Sequence, residues 1–330
     1  MSSTGRQDEI PALEAELHAN PDSLDLHLRL LEAHCMAPEL LGTRRRIELV
    51  EWLVRNHPDH QLCRTPFCAV NPSQDPEGFR SVKAAWLDAM ADAPNNVLIL
   101  RGAGAFLCID DYQAAKGLFL KAVNLAPQDA EAWLDLGRLC REPEEQLRAF
   151  IRARDLGSES PNLLAWLAQT AIAAGDLDAA ETFGRELLDR VEVRRREVGE
   201  ALQWRERGAQ LWKRARAMSG TDENAQKIVR AVSESSHDTH WGNTVLGVVA
   251  CRRGALDTAA AHLVGAFEIT PDYRLGAYGP KPILLQELCR AGRAPDVLKV
   301  LKTYEGLWEG EVAARWRQWA AQIERGELPD

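Results

Sequence analysis

Apolar residues recur at three- and four-residue intervals along most of the chain, the spacing that turns one face of an α-helix toward a core. A second regularity overlies this one in residues 99–127. Ala103 and Ala115 are small where the two helices of a hairpin would cross, Phe106 and Phe119 are large beside them, Ala122 closes the second helix and Pro127 opens the next turn. Trp133 follows Ile99 by 34 residues, and Leu136 and Gly137 come next, where a small residue is again required. Gly102, Ala103 and Gly104 therefore read as close helix packing and not as a phosphate-binding turn, which would need a strand before it.

The pattern continues with variations. Phe150 and Ala153 hold second-helix positions about three residues early, after a shortened connection around Pro143. Leu164, Leu167, Ala168 and Ala171 form a first helix, Gly175 and Asp176 a turn, and Ala180 and Leu187 a second helix. The most regular unit carries Leu246, Gly247, Ala250, Gly254, Ala259, Leu263, Ala266 and Pro271. Weaker copies flank these, with Leu53 and Pro58, then Trp86, Ala89 and Pro94, and later Leu284, Leu288, Gly292 and Leu301. Residues 311–325 place Val312, Trp316, Trp319 and Ile323 on one stripe, as a closing helix should.

The pattern predicts an all-α solenoid of about seven or eight antiparallel helical hairpins with a C-terminal capping helix and negligible strand. Four segments are expected. Residues 1–95 hold degenerate repeats with an irregular loop near 58–78, 96–189 hold the core units, 190–236 form a basic helical insertion, and 237–330 hold the last units and the cap.

In residues 99–187 and 242–271 these positions resemble the tetratricopeptide repeat family, more loosely toward both ends. The run from His240 to Gly247, then Tyr278-Gly279-Pro280, Tyr304 to Trp308 and the closing Gly-Glu-Leu-Pro-Asp also resemble the tails of uncharacterised bacterial repeat proteins. That second likeness implies a bacterial source and no particular activity.

Composition narrows the function. The formal net charge of −9 argues against a dedicated nucleic-acid binder, which needs a surplus of Lys and Arg on its binding face. The most apolar stretch, 97–109, contains Arg101 and two glycines and is far short of a membrane span. Residues 1–11 lack the basic-then-apolar layout of a secretory signal. Seven cysteines at spacings that suggest no disulfide framework fit a reducing cytoplasm.

No nucleophile elbow or paired histidine motif is present, and the carboxylates are spread over helix faces, so catalysis is not expected and no cofactor is implied. His57, His60, Cys63 and Cys68 are zinc-ligand types at spacings of three, three and five. That spacing is unlike a ribbon or finger, and Leu62, Phe67 and Val70 could bury both thiols in a small loop core. His237 and His240 could face each other over one turn, but Asp238 and Thr239 read as a helix start, which favours capping and packing. Residues 190–216 carry nine Lys or Arg against four Glu, with Trp204 and Trp212 between them. The stripe Trp204, Gly208, Leu211, Ala215 and Met218 favours a helix buried along one face over an exposed stacking platform.

In such arrays the first helix of each hairpin lines the concave groove. The groove positions are Arg101, Glu131, Asp135, Arg138 and Arg141, then Asn162, Trp166 and Gln169, then Trp241 and Thr244. Co-chaperone members of the resembled family grip a terminal carboxylate with Lys and Asn, but the matching positions here are Leu100 and Gly104, then Leu134 and Arg138. The expectation is a non-catalytic scaffold or adaptor that holds a protein or peptide. The alternatives are a regulatory, peptide-sensing subunit of a larger complex, or an accessory protein of an enzyme system with a metal-binding loop near Cys63.

Overall fold

The computed structural model describes residues 9–36, 43–198, 223–269, 281–308 and 310–329. These residues form fifteen α-helices and three short 3-10 helices, with no strand among them. The chain divides into two compact units, Met1–Glu159 and Ser160–Asp330. The boundary falls inside the 96–189 stretch that the repeat pattern groups as one segment.

The first unit holds α1 (Ile10–Ala19), α2 (Leu24–Cys35), α3 (Arg44–Asn56), α4 (Pro76–Asp92), α5 (Val97–Leu107), α6 (Tyr112–Leu125), α7 (Ala130–Leu139) and α8 (Pro143–Asp155). Each helix packs on its successor in the chain. The sequence fixes the helix ends through capping. The side chains of Ser23, Thr43, Asp75, Asn96, Asp111 and Asp129 each accept a first-turn N–H, and Pro76 and Pro143 occupy first positions that need no donor.

The predicted crossing positions are buried as the register requires: Ala103, Ala115 and Ala122 are inaccessible, with Phe106 and Phe119 beside them. Phe106 also stacks on Phe79, ring centroids 4.8 Å apart. A Cβ added at Gly137 would stand 2.5 Å from the Phe150 ring, and one at Gly102 would stand 2.4 Å from Trp86, so both glycines mark close approaches.

The second unit holds α9 (Leu163–Ala174), α10 (Leu177–Val198), α11 (Glu223–Arg252), α12 (Leu256–Phe267), α13 (Ile283–Arg290), α14 (Ala294–Thr303) and α15 (Gly310–Glu324). Gly175, in the left-handed conformation at φ 77°, ends α9 and lets Asp176 N–H reach the Ala171 carbonyl. Gly247 faces α13, where an added Cβ would meet Leu284 at 2.5 Å. Val312, Trp316, Trp319 and Ile323 of α15 are buried on one stripe, and Trp316 donates its indole N–H to the Leu301 carbonyl at 2.6 Å.

Two expectations are corrected here. Asp238 and Thr239 do not start a helix: α11 runs without a break through the proposed boundary at 236. Asp238 is instead buried by ion pairs to Arg194 at 2.6 Å and Arg190 at 3.4 Å, with Glu234 at 3.5 Å from Arg194. Arg190 and Arg194, at the start of the basic segment, are therefore turned inward against acids of α11. The rest of that segment, with Trp204, Gly208, Leu211, Ala215 and Met218, lies outside the described residues, as do Pro271 and Tyr278-Gly279-Pro280. His240 does pack, donating Nδ1–H to the Ala266 carbonyl at 3.0 Å and lying against Phe267.

Candidate functional site

The predicted groove residues divide between the units. In the first, Arg101 rises from α5 and Asp135 from α7, 34 residues apart in the chain. Arg101 Nε donates to Asp135 at 2.7 Å and Nη1 donates to Asp129 at 3.2 Å. Asp129 also caps α7, accepting from the N–H groups of Glu131 and Ala132. With 7% of its surface exposed, Arg101 is committed to holding α5 against α7 and is corrected from partner contact to internal strut. Burial raises the pKa of Asp135 above the ordinary carboxylate value, and Arg101 acts against that rise.

Next to this pair lies a pocket of about 330 Å³. Its floor is apolar, from Phe106, Phe119 and Leu139, and Asp135 and Arg138 stand on the α7 side. The opposite wall is Arg64, Thr65 and Pro66. These come from the irregular stretch between α3 and α4, which folds as two 3-10 turns, Gln61–Arg64 and Pro66–Cys68. Arg46 staples this stretch by donating Nη2–H to the Phe67 and Ala69 carbonyls at 2.8 and 2.7 Å.

The four donor residues of this loop are each engaged locally. Cys63 and Cys68 are buried, and Cys63 donates to the His57 carbonyl at 3.6 Å. Contact with Cys63, then burial, pushes the Cys68 thiol up in pKa. His60 Nδ1 accepts from the Leu62 N–H, and the His57 ring lies against Trp52. Each of the four side chains has its own local packing or hydrogen-bonding partner, and no group of three metal-ligand types is arranged to hold an ion among the described residues.

Arg64 was not among the sequence candidates. Its only sequence signal is a cation set within an apolar, thiol-rich loop. In the structure it is half-buried and donates weakly to the Asp59 carbonyl at 3.4 Å, with no carboxylate within ion-pair distance among the described residues. Burial, and next the like charge of Arg101, lower its pKa. Arg64 stands near Arg101, Asp135 and Asp129, the last two of which already hold Arg101, and it shares the pocket lining with Arg138. A partly desolvated guanidinium in that position is stabilised by an incoming anion.

The remaining first-unit candidates lie away from this pocket's wall. Glu131 is exposed and accepts from Ser158 Oγ at 2.7 Å, and exposed Arg141 stacks over the Tyr112 ring, 4.0 Å from its centroid. In the second unit, Asn162 and Trp166 are half-buried at the start of α9. Gln169, Trp241 and Thr244 line a separate pocket of about 380 Å³.

No protein-family model and no curated protein matches the chain at a significant level. No helix among the described residues is long and apolar enough to cross a membrane.

Proposed function

We propose that the chain is a tetratricopeptide-type solenoid that works as a non-catalytic scaffold or adaptor, and that its first unit grips an acidic, partly apolar segment of another protein. The observation that supports this is Arg64: a half-buried cation with no carboxylate partner among the described residues, at the rim of an aromatic-floored pocket shared with Arg138. An Asp or Glu side chain supplies the missing counter-charge, and a neighbouring Leu or Phe covers the floor of Phe106 and Phe119. Arginine and aromatic surface together are the usual carriers of binding energy in protein contacts. The side chains around the pocket include no nucleophile paired with a base, which supports binding over chemistry.

Selection from a random peptide library tests the reading. Enriched peptides are expected to place an acidic residue beside a large apolar one and to bind less tightly as salt rises. Replacing both Arg64 and Arg138 with Ala should weaken them by about 2 kcal/mol or more while helix content is kept. Enrichment without acidic residues, or binding indifferent to the double substitution, overturns the proposal.

A further inference from the structure

The second unit contains a hollow that the acidic-segment reading does not use. On α11, Trp241, Thr244, Val245 and Val248 share one face, at the spacing of a core stripe. Opposite them stand Ile172 of α9 and Ile283 at the start of α13, and the space between measures about 380 Å³. A volume of that size corresponds to roughly a dozen waters of liquid, and cavities with such apolar linings are typical of small-ligand sites.

Its polar lining is Gln169, Thr244, Lys281 and Gln286. Lys281 stands at the mouth, and its ammonium has no ion-pair partner among the described residues. The other nearby charges are engaged with each other: Arg252 donates to Glu287 at 2.9 Å and to the Ile172 carbonyl at 3.0 Å. Helix α13 begins two residues after Lys281 with no side chain capping its first turn, so its leading N–H groups and positive dipole end add to the same potential. Thr244 is almost wholly buried and lines the hollow, and its hydroxyl has no hydrogen-bond partner among the described residues.

We propose that this hollow binds a small carboxylate with an apolar body of about a dozen heavy atoms. The body lies against Trp241, Val245 and Val248, the carboxylate meets Lys281 and the first turn of α13, and the Thr244 hydroxyl gains a partner. A single negative charge suits a site with one lysine and apolar walls, because a dianion loses more hydration than these groups replace.

Titration calorimetry on the full chain with octanoate and phenylbutyrate, each beside its neutral amide, tests the proposal. At least one acid should bind one-to-one with a Kd below about 1 mM and about tenfold or more tighter than its amide. Lys281→Met should abolish the preference for acid over amide while leaving amide binding and helix content unchanged. Gln169→Phe, from the half-exposed edge of the hollow, should weaken acid and amide alike by occupying the space. Absence of saturable binding by either acid, equal binding of acid and amide, a preference that survives Lys281→Met, or unchanged binding to Gln169→Phe would each overturn it.

Discussion

Two arginines of the same unit, Arg64 and Arg101, show how surroundings decide a residue's role. Arg101 is buried between two aspartates, so removing it takes from the buried Asp135 the guanidinium it is hydrogen-bonded to. Arg101→Leu is expected to destabilise the protein by about 3 kcal/mol, the usual cost of breaking one side of a buried pair. Arg64 is half-buried beside a like charge with no ion-paired acid among the described residues, so Arg64→Leu should leave the melting temperature unchanged or raise it, while binding of acidic peptides falls. Chemical denaturation of the two variants, read beside peptide affinity, checks this. Equal losses of stability would place Arg64 in the framework and remove it from the site.

At the scale of helices, the glycines and alanines carry the argument. Gly247 is expected to reject a side chain because Leu284 of α13 already fills the space above it. Gly247→Leu should cost about 1–3 kcal/mol through overpacking, and hydrogen exchange should show protection falling first in α11, α12 and α13, which pack on one another. An unchanged exchange pattern would show that the crossing is not as tight as the geometry requires. The long helix α11 makes the complementary point. Asp and Thr are favoured helix starters, so Asp238 and Thr239 read as a terminus, but burial against Arg190 and Arg194 satisfies Asp238 and Glu234 within an unbroken helix.

For the molecule as a whole, three buried or half-buried histidines shape the response to acid. His27 and His34 in the first unit and His262 in the second are each lowered from the ordinary value of 6.5, chiefly by burial. His27 is stacked on Trp52, ring centroids 3.3 Å apart, and donates Nδ1–H to the Ser23 carbonyl. Below about pH 6.5 the unfolded chain takes up protons on these rings that the folded chain resists, so stability is full above that pH and declines as pH falls below it. Each proton contributes at most about 1.4 kcal/mol per pH unit. Asp135, raised by burial, works in the opposite direction in the lower carboxylate range. Denaturation midpoints measured from pH 7.5 to pH 5.5 should therefore decrease, and replacing His27 and His34 together with Gln should flatten the curve. A midpoint that rises over this interval would contradict the burial argument.

The sequence by itself determined the helices, their capped ends and the small residues at their crossings. Each of these follows from a local rule: helical periodicity places Phe106 and Phe119 inward, an Asp before a helix caps it, and small residues such as Gly247 recur at fixed offsets along the helices. It did not determine which charges remain available. Whether Arg101 points to solvent or to Asp135 depends on how α5 and α7 pack, and Arg64 reaches the pocket only because Arg46 holds an irregular loop against it. Periodicity is written into neighbouring residues, whereas counter-charges and hollows arise between residues distant in the chain, so only the tertiary structure could decide them.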